Sequence, residues 1–502
     1  MSLAAKLAAA SPSGDPDLLA RLAEEALDQG EEECALPLLD QALQRQPSAR
    51  LWQWRGLLER ALDRHQEALG SYAQATRLAP SDASIAAGRA RIALEAGLDA
   101  RELYEQALRL APTDGTLVLG LAAARLAAGL GDDAERDLDA ILLRAPLWIQ
   151  GHVQLGQLRS MLGRPGESAG SIERALAQHS HEPGLWQALL EIYLKREDFA
   201  EVAEIVERAA SAGISPNVRL PYRAIAAAEL DRRDDADRLF DELDRSGGPT
   251  LPIWRIRHLL RTDRLDQAKA LIDAELASDR AAEAWPYASL AWRITSDPRS
   301  EWLEGDERLV WEGDLSADLP PLDRLANVLR SLHVAKGEYL DQSVRGGTQT
   351  DGPLFSRIEP ESRALRSAVT TAVERYVAQL PPADPKHPLL SRRRDRASRF
   401  AGSWSVRLRG GGYHANHVHP QGWISSALYV ALPSTGSHRD RHAGWLAMGE
   451  PPPGLPLGLS ATRHVQPRPG KLVLFPSWMW HGTVPFRTGE RLTVAFDVAV
   501  PR

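Results

Sequence analysis

At 502 residues, with 43% hydrophobic and 25% charged side chains, the chain has the composition of a globular protein and is too long for a single ordinary core. Its formal net charge of -7 gives no reason to expect a nucleic-acid partner, because phosphate binding requires a basic surface. The single cysteine, Cys34, excludes an internal disulfide framework and favours a reducing compartment. No apolar run approaches the roughly 18 residues that a membrane span requires, so we expect a cytoplasmic protein with no membrane partner.

Prolines recur through the first half of the chain at intervals of 33, 32, 34, 37, 33 and 33 residues. They are Pro47, Pro80, Pro112, Pro146, Pro183, Pro216 and Pro249. A small residue keeps the same phase between them, as at Ala68, Ala134 and Ala236, and apolar residues fall at helical spacing. Small residues allow two helices to approach closely, and a proline ends one pair before the next begins. The first half therefore predicts a row of helix pairs.

A period near 34 residues, with a small-residue helix crossing and a closing proline, resembles the tetratricopeptide repeat (TPR) family. The resemblance covers about residues 17–290 and holds seven to eight repeats. It implies an all-α superhelix whose groove captures a protein or peptide partner. The alternative is a superhelix that serves only as a structural spacer.

The period stops near residue 290, and we expect three units: a superhelix at 1–290, a connector at 291–325 and a second domain at 326–502. The segments "PPLDRLANVLRSLHVAKGEY" and "ESRALRSAVTTAVERYVAQL" predict two helices of the second domain. Between them, "DQSVRGGTQTDGPLF" predicts a glycine-rich loop. That loop is either a lid that carries Arg345 over a site or a structural turn.

Short runs of alternating or β-branched residues, separated by Gly and Pro, follow from about residue 400. Several short strands after two helices predict a compact β-sandwich or double-stranded barrel, and thus an α+β domain. The predicted strands are Trp404–Leu408, Ile424–Leu432, Trp445–Met448, Lys471–Phe475, His481–Pro485 and Arg491–Val498.

Three groups of residues that could bind a metal or an anion lie in order along this region. His417-Val-His419 precedes a predicted strand, His481 follows an apolar strand, and Arg491-Leu-Thr493 begins the last strand. This order resembles the Fe(II)/2-oxoglutarate-dependent dioxygenases. The phrases "SVRGGTQT", "SWSVRL", "HVHPQGWISSALYVALP", "GKLVLFPSWMWHGT" and "RLTVAFDV" are similar to a bacterial group of uncharacterised 2-oxoglutarate/iron oxygenases often fused to TPR arrays.

The resemblance implies a double-stranded β-helix core of the jelly-roll or cupin-like kind. It also implies Fe(II) held by His417, His419 and His481, with open positions left for 2-oxoglutarate and O2. A buried arginine would pair with the distal carboxylate of 2-oxoglutarate, and a hydroxyl two residues further on would face the same side of the strand. The residues with these implied co-substrate contacts are Arg491 and Thr493, with Tyr429 and Ser405 as further candidates.

The sequence departs from the family pattern at the carboxylate that normally accompanies the two metal-binding histidines, because His419 occupies its place. A literal His-x-Asp occurs at His438-Arg439-Asp440, which we interpret as a solvated loop because it lies in a polar, glycine-containing run. For the third nearby histidine, His414, we expect a supporting or surface role. An all-histidine site has no anionic ligand, so we expect weak retention of Fe(II) and competition from Zn or Ni.

These features predict a 2-oxoglutarate-dependent dioxygenase that hydroxylates a side chain of a protein or peptide recruited by the repeat array. Fe(II), 2-oxoglutarate and O2 are the expected cofactors and co-substrates, with ascorbate as an optional reductant. One alternative is a TPR scaffold whose barrel has lost catalysis. Another is a cupin-like zinc enzyme that uses three histidines and a bound water. A zinc enzyme has no need of a carboxylate anchor at Arg491, which separates the two enzyme hypotheses.

Overall fold

The computed structural model describes residues 2–340, 342–433 and 441–501. The α-helices are α1 (Leu3–Ala9), α2 (Pro16–Gln29), α3 (Glu32–Arg45), α4 (Ala49–Ala61), α5 (His65–Leu78), α6 (Ala83–Glu95), α7 (Arg101–Leu110), α8 (Gly115–Ala127), α9 (Gly131–Arg144), α10 (Ile149–Met161), α11 (Gly170–Gln178), α12 (Pro183–Lys195), α13 (Phe199–Ser211), α14 (Pro216–Glu229), α15 (Arg233–Ser246), α16 (Pro252–Arg261), α17 (Leu265–Leu276), α18 (Ala281–Ile294), α19 (Arg299–Glu304), α20 (Leu322–Leu332) and α21 (Pro360–Gln379).

The strands are β1 (Trp311–Asp314), β2 (Val344–Gln349), β3 (Phe400–His414), β4 (Gly422–Ala431), β5 (Leu446–Met448), β6 (Arg463–Val465), β7 (Lys471–Pro476), β8 (His481–Thr483) and β9 (Glu490–Ala499). The predicted order of an all-α array followed by an α+β domain is confirmed. Among the described residues, none of the helices combines the length and the hydrophobicity needed to cross a bilayer.

Helices α2 to α17 form eight consecutive pairs within the described part of the chain. In each pair the turn after the first helix contains a residue with positive φ, a conformation that ends a helix abruptly. These residues are Gly30, Asp63, Gly97, Gly129, Gly163, Glu197, Asp231 and Asp263. The small residues of the repeat lie at the helix crossings, and Ala68, Ala134 and Ala236 are buried. The period seen in the sequence therefore marks both the turns and the contacts of the array.

The C-terminal domain contains two antiparallel sheets. The larger has the strand order β1-β7-β4-β9-β3-β2, and the smaller has the order β6-β5-β8. Strand β9 lies between β4 and β3, where Thr493 pairs with both Tyr429 and Val406. The centre of the large sheet therefore carries the last strand of the chain, with Arg491 near its beginning.

Three strands differ from the sequence predictions. The glycine-rich segment predicted as a loop contains β2, which pairs with β3 and has an irregularity between Arg345 and Gly347. Strand β1 lies inside the predicted connector, and β6 lies in a segment with no predicted strand. All three are short and lie at sheet edges, so pairing with a neighbouring strand stabilises them more than their own sequence does.

The repeat array packs against the sheet domain through the turns between paired helices. Hydrogen bonds join the Arg366 guanidinium to the Asp63 carbonyl at 2.6 Å and the Ile358 amide to the Ala96 carbonyl at 3.2 Å. Further along, the Lys336 amide donates to the Met161 carbonyl at 2.7 Å. At the last pair, buried residues such as Ile256 and Ile272 share one hydrophobic cluster with the large sheet. The domain boundaries predicted at residues 290 and 325 stay a prediction.

Candidate metal centre

His417, His419 and His481 converge at one end of the large sheet. One ring nitrogen from each lies within 4.8 Å of the others. The ring centroids of His417 and His481 are 4.3 Å apart, and those of His417 and His419 are 4.9 Å apart. A single ion bound at about 2.1 Å to three nitrogens on one face of a tetrahedron or octahedron sets them about 3.0–3.4 Å apart. Rotation of the three imidazole side chains by up to about 1 Å would therefore close the site around an ion.

Backbone pairing brings these histidines together from distant parts of the sequence. The amide of His417 donates to the carbonyl of His481 at 2.9 Å, and the amide of His481 returns a bond to His417 at 3.0 Å. The amide of His419 donates to the carbonyl of Ser477 at 2.9 Å. Gly482 permits this approach, since a Cβ at that position would lie 2.9 Å from the His414 carbonyl oxygen.

Hydrogen bonds fix the tautomer of each of the three histidines. The Nδ1 of His417 lies 2.8 Å from the Ala415 carbonyl oxygen, and the Nδ1 of His481 lies 2.9 Å from the Met479 carbonyl oxygen. A carbonyl oxygen can only accept, so each Nδ1 carries a proton and donates it. The third Nδ1, on His419, lies 2.7 Å from a carboxylate oxygen of Asp497 and donates in the same way. All three Nε2 atoms are left as the candidate ligands.

Burial keeps two of these imidazoles neutral. It lowers the pKa of His417 to about 3, with a further decrease from the neighbouring His419. Burial also lowers the pKa of His481 well below its ordinary value, and the nearby His417 adds to the effect. Neutral imidazoles have a free lone pair on Nε2 at physiological pH, which is the form that binds a metal. The donor set therefore fits a divalent transition-metal ion.

Asp497 supplies the carboxylate that the sequence analysis did not find. Its Oδ2 accepts from His419, and its Oδ1 accepts from the Ser425 hydroxyl at 2.6 Å. Asp497 lies on the same face of β9 as Arg491, Thr493 and Ala495, which are alternate residues of the strand. This two-residue period was the signal in the sequence that could have identified it. The negative charge thus lies one hydrogen bond outside the three histidines.

Arg491 is buried, with 2% of its surface exposed, and no carboxylate of the described residues forms an ion pair with it. Its Nε has no hydrogen-bond partner, and its guanidinium lies over the Tyr429 ring at 5.0 Å. Desolvation lowers the pKa of Arg491 from its ordinary value. A buried guanidinium without an anion is unfavourable by several kcal/mol, on the order of 3–5. The surroundings of Arg491 therefore fit an anionic ligand.

The histidines and Arg491 line a single cavity together with Thr493. Tyr429 is fully buried and packs against Arg491 from one side. Trp404 forms part of the cavity wall, and its ring stacks on that of His419 at 5.8 Å with an interplanar angle of 9°. One cavity thus contains both the candidate metal ligands and the unpaired cation.

The remaining candidates have other positions. The structure does not bring Ser405 to this cavity: its hydroxyl lies 3.1 Å from His333 Nε2, because alternate residues of β3 point to opposite faces and Trp404 takes the inward position. His414 lines the same cavity, and the Ser343 hydroxyl lies between His414 Nδ1 and His417 Nε2, at 3.1 and 3.2 Å. The alternative pair, His438 and Asp440, lies outside the described residues.

Comparisons with known proteins agree with this geometry for the C-terminal domain. Residues 402–497 match the sequence profile of the family described as "Putative 2OG-Fe(II) oxygenase", a range that includes the three histidines, Arg491 and Asp497. No curated protein matches the chain.

Several solved structures are similar to the chain. A tetratricopeptide repeat protein from Parabacteroides merdae ATCC 43184 is 19% identical, with a TM-score of 0.30 over 48% of this chain and 96% of that one. A MamA fragment from Desulfovibrio magneticus RS-1 is 17% identical, with a TM-score of 0.29 over 33% and 97%. YrrB, described as "a TPR protein with an unusual peptide-binding site", is 14% identical, with a TM-score of 0.28 over 37% and 96%. The chain joins an N-terminal array of helix pairs to a C-terminal domain that matches the family described as "Putative 2OG-Fe(II) oxygenase" over residues 402–497.

Proposed function

We propose that the protein is an Fe(II)/2-oxoglutarate-dependent dioxygenase that hydroxylates a side chain of a polypeptide substrate. The observation that carries this proposal is the buried Arg491, which has no ion-pair partner among the described residues, in a cavity that also contains the three converging histidines. A zinc hydrolase does not require a buried cation next to its metal. A dicarboxylate co-substrate does require a buried cation, because its second carboxylate loses its hydration on binding and its charge must be neutralised.

The Nε2 atoms of His417, His419 and His481 would hold the Fe(II) ion. When bound, Fe(II) supplies oxidation by O2 coupled to the decarboxylation of 2-oxoglutarate to succinate. The protein's part is to hold these ligands in fixed rotamers and tautomers. The bonds from Nδ1 to Ala415, Met479 and Asp497 do so.

Arg491 would bind the distal carboxylate of 2-oxoglutarate with paired N–H donors, which is the strong geometry for a carboxylate. The Thr493 hydroxyl lies on the same face of β9 and would donate to that carboxylate. Tyr429 prevents the guanidinium from turning towards the sheet, because its ring covers one face of the cation. These three residues would orient the co-substrate and exclude water from its charged end.

Asp497 would partly replace the missing anionic ligand. A carboxylate that accepts from the far nitrogen of an imidazole increases the electron density at the coordinating nitrogen. The Ser425 hydroxyl holds this carboxylate in place at 2.6 Å. The charge of the ion is then balanced through His419 rather than by direct contact with oxygen.

The experiment is to supply the purified full-length chain with Fe(II), ascorbate and 2-oxoglutarate under air and to measure succinate, including turnover without a substrate. We expect succinate from the wild type, loss by at least roughly 100-fold in H481A and in R491A, and no change in the control D266N. Asp266 is an exposed residue of α17, remote in sequence from every cavity residue. Absence of succinate, with 2-oxoglutarate still bound, would overturn the proposal in favour of an inactive scaffold.

A further inference from the structure

A cleft of about 500 Å³ lies between the repeat array and the sheet domain. The array contributes residues of its second and third helix pairs, among them Asp63, His65 and Glu95. The sheet domain contributes Tyr339 and the segment 349–353 at the end of β2, together with the start of β3. The cleft therefore exists only where the two parts of the chain meet.

The cleft is separated from the candidate metal centre by a thin wall. Gln349 and Trp404 line both the cleft and the cavity of the three histidines. The Trp404 ring lies flat against His419. The cleft and the candidate metal centre are therefore neighbouring spaces that share these two side chains.

The carboxylate of Asp351 is the unusual charge in this cleft. The Tyr339 hydroxyl donates to it at 3.1 Å, and no Lys or Arg of the described residues forms an ion pair with it. The other carboxylates of the cleft are paired: Glu95 with Arg60 at 2.7 Å, and Asp63 with Arg366 at 3.5 Å. Asp351 is exposed to the solvent of the cleft, while desolvation by the surrounding atoms raises its pKa. Its surroundings would favour a cation.

His65 provides a second, independent sign that the cleft binds a ligand. Only 4% of its surface is exposed, and its Nε2 lies 3.2 Å from Glu95. Its Nδ1 is buried and has no hydrogen-bond partner. A buried polar atom without a partner costs about 1–3 kcal/mol, so a ligand group that bonds to it would be favoured.

This inference rests on the proposed function. We propose that the substrate is a polypeptide bound in this cleft, and that Asp351 recognises a lysine or arginine side chain of it next to the reacting residue. The cleft suits a peptide because one wall is made of repeat turns and the other of a strand end, so a chain can lie between them. It lies on the solvent side of Trp404, so binding here leaves the co-substrate position at Arg491 free.

The test uses two fluorescent peptide pools with random flanks, one centred on lysine and one on glutamate, and fluorescence polarisation with the full-length chain. The lysine pool is expected to bind at least roughly ten-fold more tightly, which corresponds to a single good ion pair. In D351N the two pools should differ by less than about three-fold. The variant D351E, which keeps the charge, and the remote control D266N should both retain the preference.

Equal binding of the two pools by the wild type, or an unchanged preference in D351N, would overturn the inference. Competition by Nα-acetyl-lysine amide as strong as by the lysine pool would overturn the polypeptide part, since a free amine would then suffice. Measurement in H481A separates this inference from the proposed function, because binding in the cleft needs no turnover. A lysine preference without succinate formation in the wild type would reject the dioxygenase alone, and succinate formation without a preference would reject the cleft alone.

Discussion

The Asp497 carboxylate lies 2.7 Å from His419 Nδ1 and brings negative charge next to a site whose three candidate ligands are all histidines. The sequence predicts an all-histidine site without an anionic ligand, and the structure adds a carboxylate one hydrogen bond outside it. Asp497 would strengthen metal binding through His419, although less than a carboxylate in direct contact. A single side chain outside the three ligands would therefore influence the metal affinity of the site.

Substitution of Asp497 is expected to weaken metal binding in two steps. D497N removes the charge but keeps an acceptor for His419, whereas D497A removes both, so affinity should fall in the order wild type, D497N, D497A. Loss of such an outer partner typically costs about 10- to 100-fold in affinity. Competition with a chelator of known affinity for Zn(II) measures the order. Equal affinities in all three proteins would show that Asp497 has no influence on the metal.

The nitrogen-only donor set also predicts the metal content of the purified protein. Nitrogen ligands bind Ni and Zn more tightly than Fe(II), so the protein should carry a mixture of metals when no iron is added. Elemental analysis by mass spectrometry measures this directly. Stoichiometric iron without supplementation would contradict the expectation, and D497A should contain less metal of every kind.

At the scale of elements, β9 could be predicted from the sequence and β2 could not. The run "RLTVAFDV" alternates and is β-branched, and its period of two also places Arg491, Thr493 and Asp497 on one face. The segment of β2 contains Gly346 and Gly347 and has no apolar alternation. It is a strand because β3 offers it a partner, which is a tertiary effect. The three histidines could be predicted as a set from their motifs, whereas the Asp497 carboxylate meets His419 only through the fold, 78 residues further along the chain.

His333 follows the last residue of helix α20 and links this helix to strands β2 and β3. The imidazole lies 2.8 Å from the Thr348 hydroxyl on β2 and 3.1 Å from the Ser405 hydroxyl on β3. Burial, assisted by the charge of Arg407, lowers the pKa of His333 to about 4. The unfolded chain, in which a histidine titrates near about 6.5, therefore binds a proton that the folded chain excludes between these two pH values.

The stability of the sheet domain should accordingly decrease as the pH falls from about 6.5 to about 4, because the unfolded state binds more protons in that window. H333Q retains a hydrogen-bonding group but does not titrate, so its free energy of unfolding should depend less steeply on pH there. Urea unfolding at several pH values measures the slope. The same slope in H333Q and the wild type, with the exposed His181→Gln as control, would show that His333 is not the group responsible.

At the scale of the whole molecule, the repeat array is a partner of its own C-terminal domain. Arg399, just before β3, bonds to Glu32, to Glu33 at 2.9 Å and to the Gly30 carbonyl at 3.2 Å. The TPR resemblance alone could predict helix pairs but not this intramolecular contact, because the sequence does not show which surface of a repeat is covered. The turns between paired helices are occupied in part by the chain itself, which limits the surface that an external partner can use.

Removal of the Arg399 contact should loosen the first helix pair from the sheet domain. R399A leaves Glu32 buried without its cation, and we expect a loss of about 1–3 kcal/mol in the free energy of unfolding, between the values for exposed and buried pairs. The control R233A removes an exposed pair with Asp231 and should change stability by less than about 0.5 kcal/mol. Urea unfolding and limited proteolysis of α2 and α3 measure the effect. Equal behaviour of both variants would contradict the structural role of the contact.

The proposed role of Arg491 is to bind the distal carboxylate of 2-oxoglutarate. Calorimetric titration of the Mn(II)-loaded protein without O2 can compare 2-oxoglutarate with 2-oxopentanoate, which has a methyl group in place of that carboxylate. The wild type should prefer 2-oxoglutarate by roughly 30-fold or more, the scale of a buried charge pair that has lost one partner. R491Q should bind the two compounds with similar affinity. A wild type that does not distinguish them, or an unchanged preference in R491Q, would contradict the account.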